Sequence, residues 1–231
     1  MIYGIATDVI PPYFYNNYGK YFKDFLGDLY NKYYAVSFLP RDISYASCLF
    51  HSPLRNTDVI LDVGGACSYF MHSIARFARE AYIIDPLLGF DACSQWKSSL
   101  SEFQGITNFS FIEQSATEIP FPDNYFDKIY TISALEHCYI ENDDLAIVDE
   151  IKRTLKTGGI FTGTVDFNPV TETPFGVDDI CRAYTHKALY ERIIDRSGMV
   201  LAGRDYEKDR PIPESGNGAL CEMFFKLIKP H

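Results

Sequence analysis

The residues best suited to chemistry begin at Asp62, inside the run V-I-L-D-V-G-G-A-C-S from Val59 to Ser68. Val59, Ile60, Leu61 and Val63 are apolar and mostly β-branched, as a strand covered on both faces requires. Asp62 carries a carboxylate to the end of that strand. Gly64 and Gly65 then let the backbone turn sharply and come close to a ligand. A second carboxylate, Asp85, ends a second apolar run, Ala81-Tyr82-Ile83-Ile84, 23 residues beyond Asp62. A strand, a glycine turn, a helix and an acid about 20 residues further on make a nucleotide site, the acid accepting hydrogen bonds from a ribose diol. Each such charge-assisted bond is worth roughly 1.5–3 kcal/mol.

Holding these groups together calls for an open α/β sheet. The helix after the glycines places Phe70, Ile74, Phe77 and Ala78 on one face. Further strands are expected over Asn108 to Ile112, Lys128 to Ser133 and Ile160 to Val165, the last ending at Asp166. Ligands of open parallel sheets sit beyond the carboxyl ends of the strands, so the Glu136-His137 pair after the fourth strand faces the same crevice as Gly64 and Asp85. Asn142, Asp143 and Asp144 open a helix with acids at its positive end. Leu145, Val148, Ile151 and Leu155 form its buried face, and Gly158 is its stop. Ala92 to Phe103 has helical character, and a loop over the crevice follows from Val170 to Ala183, with Pro174 and Gly176. Thr185 caps a helix through Ser197 with Leu189 and Ile193 inward, and Gly198 ends it. Met199 to Tyr206 and Ala219 to Ile228 read as a closing strand pair, joined by a polar loop with Pro211, Pro213, Gly216 and Gly218.

Before the nucleotide motif lies an aromatic-rich stretch. Pro11 and Pro12 point to extended chain or loop up to about Tyr18. Tyr21, Phe22, Phe25, Leu26, Leu29 and Tyr33 recur at helical spacing between Lys20 and Tyr34, and Ile43 to Phe50 is a second short helix. These aromatics pack a helix onto the domain, with some tyrosines left to shape a pocket. A chain of 231 residues fits one α/β domain, divided here into an N-terminal helical extension over 1–55 and the main domain over 56–231.

The net charge of −10, with no basic cluster along the chain, argues against nucleic acid or an anionic membrane as partner. Six scattered cysteines, with no C-x-x-C pair, read as reduced residues of a cytoplasmic protein and not as metal ligands. Neither a signal peptide nor an apolar run approaching 18 residues is visible.

Four segments in order resemble the class I S-adenosylmethionine-dependent methyltransferases. They are D-V-G-G-A-C-S at Asp62 to Ser68, Asp85, S-A-T-E-I-P-F-P-D-N-Y-F-D at Ser115 to Asp127, and I-S-A-L-E-H at Ile132 to His137 with L-K-T-G-G-I-F at Leu155 to Phe161. The resemblance implies an α/β, doubly wound, mostly parallel seven-stranded sheet with an antiparallel C-terminal strand. It implies S-adenosylmethionine as cofactor, with Asp62, Gly64 and Gly65 near its methionine end, Asp85 at the ribose, Ala116 and Thr117 along the adenine, and Leu135 and Glu136 behind the sulfonium. The acceptor is a small molecule, and the tail from Asp166 through Gly198 is similar to enzymes of surface-sugar and metabolite biosynthesis. A protic acceptor must lose a proton, and His137 and Asp166 are the candidate bases; Tyr184 and His186 are further candidates to touch the acceptor, His186 reading better as a surface residue. Ala66 and Ser68 stand where the family has glycine, and Ser115 where it commonly has an acid. These departures keep open a non-catalytic binding or interaction protein with a degenerate glycine loop. A nicotinamide-dependent oxidoreductase shares the strand, glycines and ribose acid, but the third glycine of its G-x-G-x-x-G is missing.

Overall fold

The computed structural model describes residues 2–4, 12–27, 41–65, 68–86, 108–138, 140–168, 182–202 and 221–231. The readings made for Ala66, the Lys20 to Tyr34 helix beyond Gly27, the Ala92 to Phe103 helix, the 170–181 part of the crevice loop, the 203–206 and 219–220 parts of the closing strands and the polar loop between them lie outside them. In chain order the elements are β1 (Ile2–Gly4), α1 (Pro12–Leu26), α2 (Asp42–His51), β2 (Val59–Val63), α3 (Phe70–Ile74), β3 (Glu80–Ile84), β4 (Phe109–Ile112) and β5 (Phe126–Ile132). They continue with α4 (Asp143–Thr154), β6 (Leu155–Phe167), α5 (186–197), β7 (Val200–Leu201) and β8 (Cys221–Ile228).

Seven strands follow one path, β1-β8-β6-β5-β2-β3-β4, and β7 pairs with β8 beside it. From β6 to β4 every pairing is parallel, and β8 runs antiparallel to β6. The expected mostly parallel seven-stranded sheet with an antiparallel C-terminal strand is therefore present. The outer edge of β8 is shared: β1 pairs with its first half in parallel, and β7 with its last two residues. β2 is buried at every position, as its run of apolar residues demands.

Apolar clusters cover both faces. One joins β2, β5 and β6 to α4 and α5 through Leu61, Ile129, Val148, Phe161 and Ile193. The other joins Phe22 of α1 and Tyr45 of α2 to Tyr69, Phe70 and Ile74, so the extension packs on the helix that follows the glycine turn. Phe22 meets Tyr45 and Tyr69 edge-on at 5.7 and 5.5 Å, and Tyr45 stacks on Phe70 at 5.1 Å. Such aromatic pairs add about 0.5–1.5 kcal/mol beyond the area they bury.

Four local expectations are corrected. Helix α1 starts at Pro12, not near Lys20, because proline is tolerated in a first helical turn, where its missing N–H has no partner to lose. Phe77 is 47% exposed instead of inward, because α3 stops at Ile74 and a tighter turn over Ala75–Phe77 swings it out. In α4 the inward set is Asp144, Ile147, Val148, Ile151 and Thr154, with Leu145 only half-buried; Asp144 takes an inward position because Arg192 and Tyr184 bind its carboxylate. Helix α4 ends as Leu155 turns extended, and Gly158, at φ +74°, sits within β6 where residues 156–159 break the β5 register.

Two ion pairs anchor the frame away from the crevice. Lys128 of β5 pairs with Asp58 just before β2, both buried. Asp127 accepts the Val59 N–H at 2.8 Å and pairs with Lys156, the structural part its position suggests. No helix among the described residues is long and apolar enough to cross a membrane.

Candidate active site

The glycine turn after β2 is shaped by two close approaches. Gly64 takes φ +76°, and a Cβ on it would stand 2.4 Å from the Ala134 Cβ beyond β5. A Cβ on Gly65 would stand 2.2 Å from Asp62 Oδ2. Neither position admits a side chain: Ala134 closes on Gly64, and the Asp62 carboxyl packs directly against Gly65. Asp62 itself is buried, and desolvation, followed by the charge of Asp85, holds its pKa well above the ordinary carboxylate range. A buried carboxyl of this kind is stabilised by a donor that the chain itself does not need.

Ser68 has a local reason to be serine. Its hydroxyl accepts the Phe70 N–H at 2.9 Å, opening α3, and donates to the Tyr45 hydroxyl at 3.1 Å. Ser115 likewise serves its own turn, accepting from the Thr117 N–H at 3.3 Å and sharing a 3.0 Å bond with the Thr117 hydroxyl. Ala116 is buried in this turn and Thr117 half-buried. Helix α4 clamps the chain just beyond it: Glu150 accepts the Ile119 N–H at 2.8 Å, and Arg153 donates to the Ile119 and Phe121 carbonyls at 2.8 and 2.9 Å. Asp85 is half-buried beyond β3, its N–H bound to the Ile112 carbonyl at 3.0 Å.

Beyond β5 the backbone takes a sparsely populated conformation at Ser133, φ +47°. A short turn, Leu135–His137, then buries Leu135 and Glu136. Glu136 Oε1 accepts the Asp166 N–H at 3.3 Å, while Oε2 is buried with no hydrogen-bond partner among the described residues. Burial, then the charge of Asp166, pushes the Glu136 pKa well up. His137 is exposed as a residue, yet desolvation by the crevice walls and then the charge of Arg41 lower its pKa, so the imidazole is neutral near pH 7.

Asp166, at the end of β6, is half-buried, and a strap from Arg182 to Tyr184 fixes it in place. The Tyr184 N–H binds the Asp166 carbonyl at 2.8 Å, the Asn168 N–H binds the Tyr184 carbonyl at 2.9 Å, and the Arg182 N–H binds the Glu136 carbonyl at 3.0 Å. Burial raises the Asp166 pKa, Arg41 opposes that and Glu222 adds to it, with a net rise. The Tyr184 hydroxyl is committed to Asp144 at 2.9 Å, so this side chain points away from an acceptor. His186 is half-buried rather than exposed, its ring 4.8 Å from that of Tyr190.

The structure thus brings Asp62, Gly64, Gly65, Asp85, Leu135, Glu136, His137 and Asp166 to the strand ends, with Ala116 and Thr117 beyond β4. Sequence reasoning missed Arg41, Ser44, Ser133 and Glu222. Glu222 accepts from Ser44 Oγ at 2.7 Å, from Ser133 Oγ at 3.0 Å and from Arg41 at 3.4 Å. A lone acid opening the apolar run C-E-M-F-F-K-L-I is the signal that was there to find.

A family model described as a methyltransferase domain matches residues 61–162. The chain is 28% identical over 162 residues to the sterol 24-C-methyltransferase of Pneumocystis carinii, covering 64% of this chain and 41% of that protein. It is 30% identical over 138 residues to a fatty-acid O-methyltransferase of Mycolicibacterium smegmatis, covering 56% and 46%. The chain therefore spans less than half the length of either relative. Among solved structures, the cyclase SpnF superposes with a TM-score of 0.64 at 16% identity, over 98% of this chain and 99% of that one, a likeness of fold. Strand order and relatives agree in a likeness to the class I, Rossmann-fold S-adenosylmethionine-dependent methyltransferases, with the methyltransferase-domain match running from β2 into β6.

Proposed function

We propose that the protein transfers a methyl group from S-adenosylmethionine to a small-molecule acceptor. The observation that carries this reading is the glycine turn after β2, where the Asp62 carboxyl packs directly against Gly65 and leaves no room for a side chain, with Asp85 acting on it from the neighbouring strand end. When bound, S-adenosylmethionine supplies a methyl group activated by its sulfonium. The chain's own residues then bind, orient and exclude water. Asp62, Gly64 and Gly65 form the methionine end, Asp85 takes the ribose diol, Ala116 and Thr117 flank the adenine, and Leu135 and Glu136 close the floor. Holding the acceptor in line is worth on the order of 7–11 kcal/mol.

Asp166 and His137 are the groups that take the acceptor's proton. Asp166 has the better geometry, because the Tyr184 strap fixes its backbone. The acidic chain favours neither nucleic acid nor an anionic membrane, and a cytoplasmic enzyme with a sugar-type or metabolite acceptor is the finer reading. A second reading, a protein that binds the cofactor without transferring its methyl group, draws support from the departures at Ala66, Ser68 and Ser115.

Calorimetric titration with S-adenosylmethionine and S-adenosylhomocysteine, with NADH as control, tests the proposal. Saturable binding of the first two that is lost in Asp85→Ala supports it. Binding of NADH instead, or of none of the three, overturns it. Release of labelled methyl groups into a small-molecule extract separates transfer from binding alone.

A further inference from the structure

We propose that Arg41 and Glu222 are positioning residues of the acceptor side: Glu222, the ladder partner of Asp166, anchors the Arg41 guanidinium so that its charge acts on Asp166, keeping Asp166 as the proton acceptor for a protic oxygen or nitrogen nucleophile. The acceptor class rests on the methyltransferase reading above; the charge arrangement does not.

The geometry starts from strand register. Asp166 and Glu222 are direct partners across the antiparallel β6–β8 ladder, so their side chains leave the same face of the sheet. Cβ atoms of such partners stand about 4.5–5.5 Å apart, and like charges there repel. The chain answers with groups from distant segments. Arg41, at the start of α2, reaches Glu222 Oε1 at 3.4 Å, and Ser44, one turn on, donates to Oε2 at 2.7 Å. Ser133, in its uncommon backbone conformation, donates to Oε1 at 3.0 Å. Glu222 is thereby held by three donors, and the charge on Arg41 is left to act on its neighbours as well.

Those neighbours are the site. Arg41 interacts electrostatically with Glu222, Glu136, Tyr45 and Asp166, and with His137. Among the described residues, the charged groups facing Asp166 are Arg41 from the cap before α2, Glu136 from the turn after β5 and Glu222 from β8. One guanidinium serves three carboxyls, so the extension before the nucleotide motif contributes to the charge of the crevice. In the reaction the acceptor's X–H bond breaks, its electron pair stays on X, and the proton turns the Asp166 carboxylate into a carboxylic acid. A nucleophile without such a proton gains nothing from this wall.

The test needs no acceptor. Carboxyl-carbon NMR of protein labelled at Asp and Glu follows Asp166 through a pH titration, with Asp166→Asn identifying its signal. The expected result is opposite movement: Arg41→Gln raises the Asp166 midpoint by about one unit or more, and Glu222→Gln lowers it. Arg41→Lys keeps the charge and stays near wild type. Should Arg41→Gln fail to fold, a fall in Glu222→Gln with Arg41→Lys unchanged carries the same conclusion. Shifts of the same sign in the Gln variants, or none, overturn the proposal, since loosening of the extension alone would expose Asp166 equally in both. S-adenosylhomocysteine titration of the same samples judges the methyltransferase reading separately: opposed shifts without binding uphold the wall and reject the cofactor.

Discussion

Asp144 offers the sharpest test of how the acceptor side is held. The residue is 2% exposed, and its carboxylate takes a two-pronged grip from Arg192, Nε at 2.7 Å and Nη2 at 2.6 Å, plus the Tyr184 hydroxyl at 2.9 Å. Asp144→Ala leaves the buried phenol without its acceptor, and leaves the guanidinium a neutral side-chain oxygen, that of Asn142 at 3.1 Å, in place of the paired carboxylate. Breaking a buried pair from one side costs about 3–5 kcal/mol. The Arg192 side chain keeps 18% exposure, so water relieves part of the loss and the lower end, about 3 kcal/mol, is expected. That is a large share of the roughly 5–15 kcal/mol that holds a domain folded. Urea unfolding followed by circular dichroism at pH 7 measures it, and Arg192→Ala with the double variant completes a cycle in which the double variant loses less than the two single variants together. The sign in pH is also fixed. Burial pushes the Asp144 pKa up, but the bonds from Arg192 and Tyr184 outweigh it, so the folded value lies below the ordinary 3.8. The stabilisation is full above that ordinary value and is lost as pH falls through the lower folded one. A loss below about 1 kcal/mol at pH 7, or a gap to wild type that widens below pH 4, would refute the reasoning.

Gly65→Ala, whose Cβ would meet Asp62 Oδ2 at 2.2 Å, should weaken S-adenosylhomocysteine binding at least tenfold by calorimetry while the far-ultraviolet spectrum stays native. Asp85→Ala removes charge-assisted bonds worth roughly 1.5–3 kcal/mol, a weakening of about tenfold to a hundredfold, and unchanged affinity would remove Asp85 from the ribose site. His72 is buried against Phe109, and desolvation, partly offset by its bond to the Ser68 carbonyl, lowers its pKa to about 4. The unfolded chain binds that proton near 6.5 and the folded chain does not, so stability falls as pH drops from 6.5 toward 4. His72→Leu should flatten this slope in urea titrations. If Asp166 is the base, the methyl-transfer rate rises with pH through its raised pKa, and Asp166→Asn removes that limb.

The placement of the residues proposed for the cofactor was legible because its signals are local. Asp62, Gly64 and Gly65 lie within one strand and turn, where an apolar run and two small residues have few other uses. Asp85 and Glu136 follow strands whose ends a parallel sheet brings together whatever the loops do. Fine boundaries failed where tertiary contacts overruled propensity. Nothing in the first turn of α4 says that Asp144 is inward until Arg192, 48 residues later, is placed beside it. The acceptor side was harder still, since Arg41, Ser133 and Glu222 meet through the β6–β8 register and the seating of α2.

This division has a physical consequence. The crevice gathers features that cost stability: a serine at φ +47°, a buried Asp62, and Glu136 with an unbonded oxygen, each of order 1–3 kcal/mol. They persist because rigid pairs outside the crevice over-determine the frame: Lys128 with Asp58 under β2 and β5, Arg153 across the Ile119 turn, and Arg192 with Asp144 beneath the Tyr184 strap. A ligand that satisfies Asp62 and Glu136 would remove part of that cost. Its binding should therefore raise the melting temperature, and should do so less in Arg41→Gln than in wild type, because without Arg41 the Glu136 carboxyl is already more fully protonated.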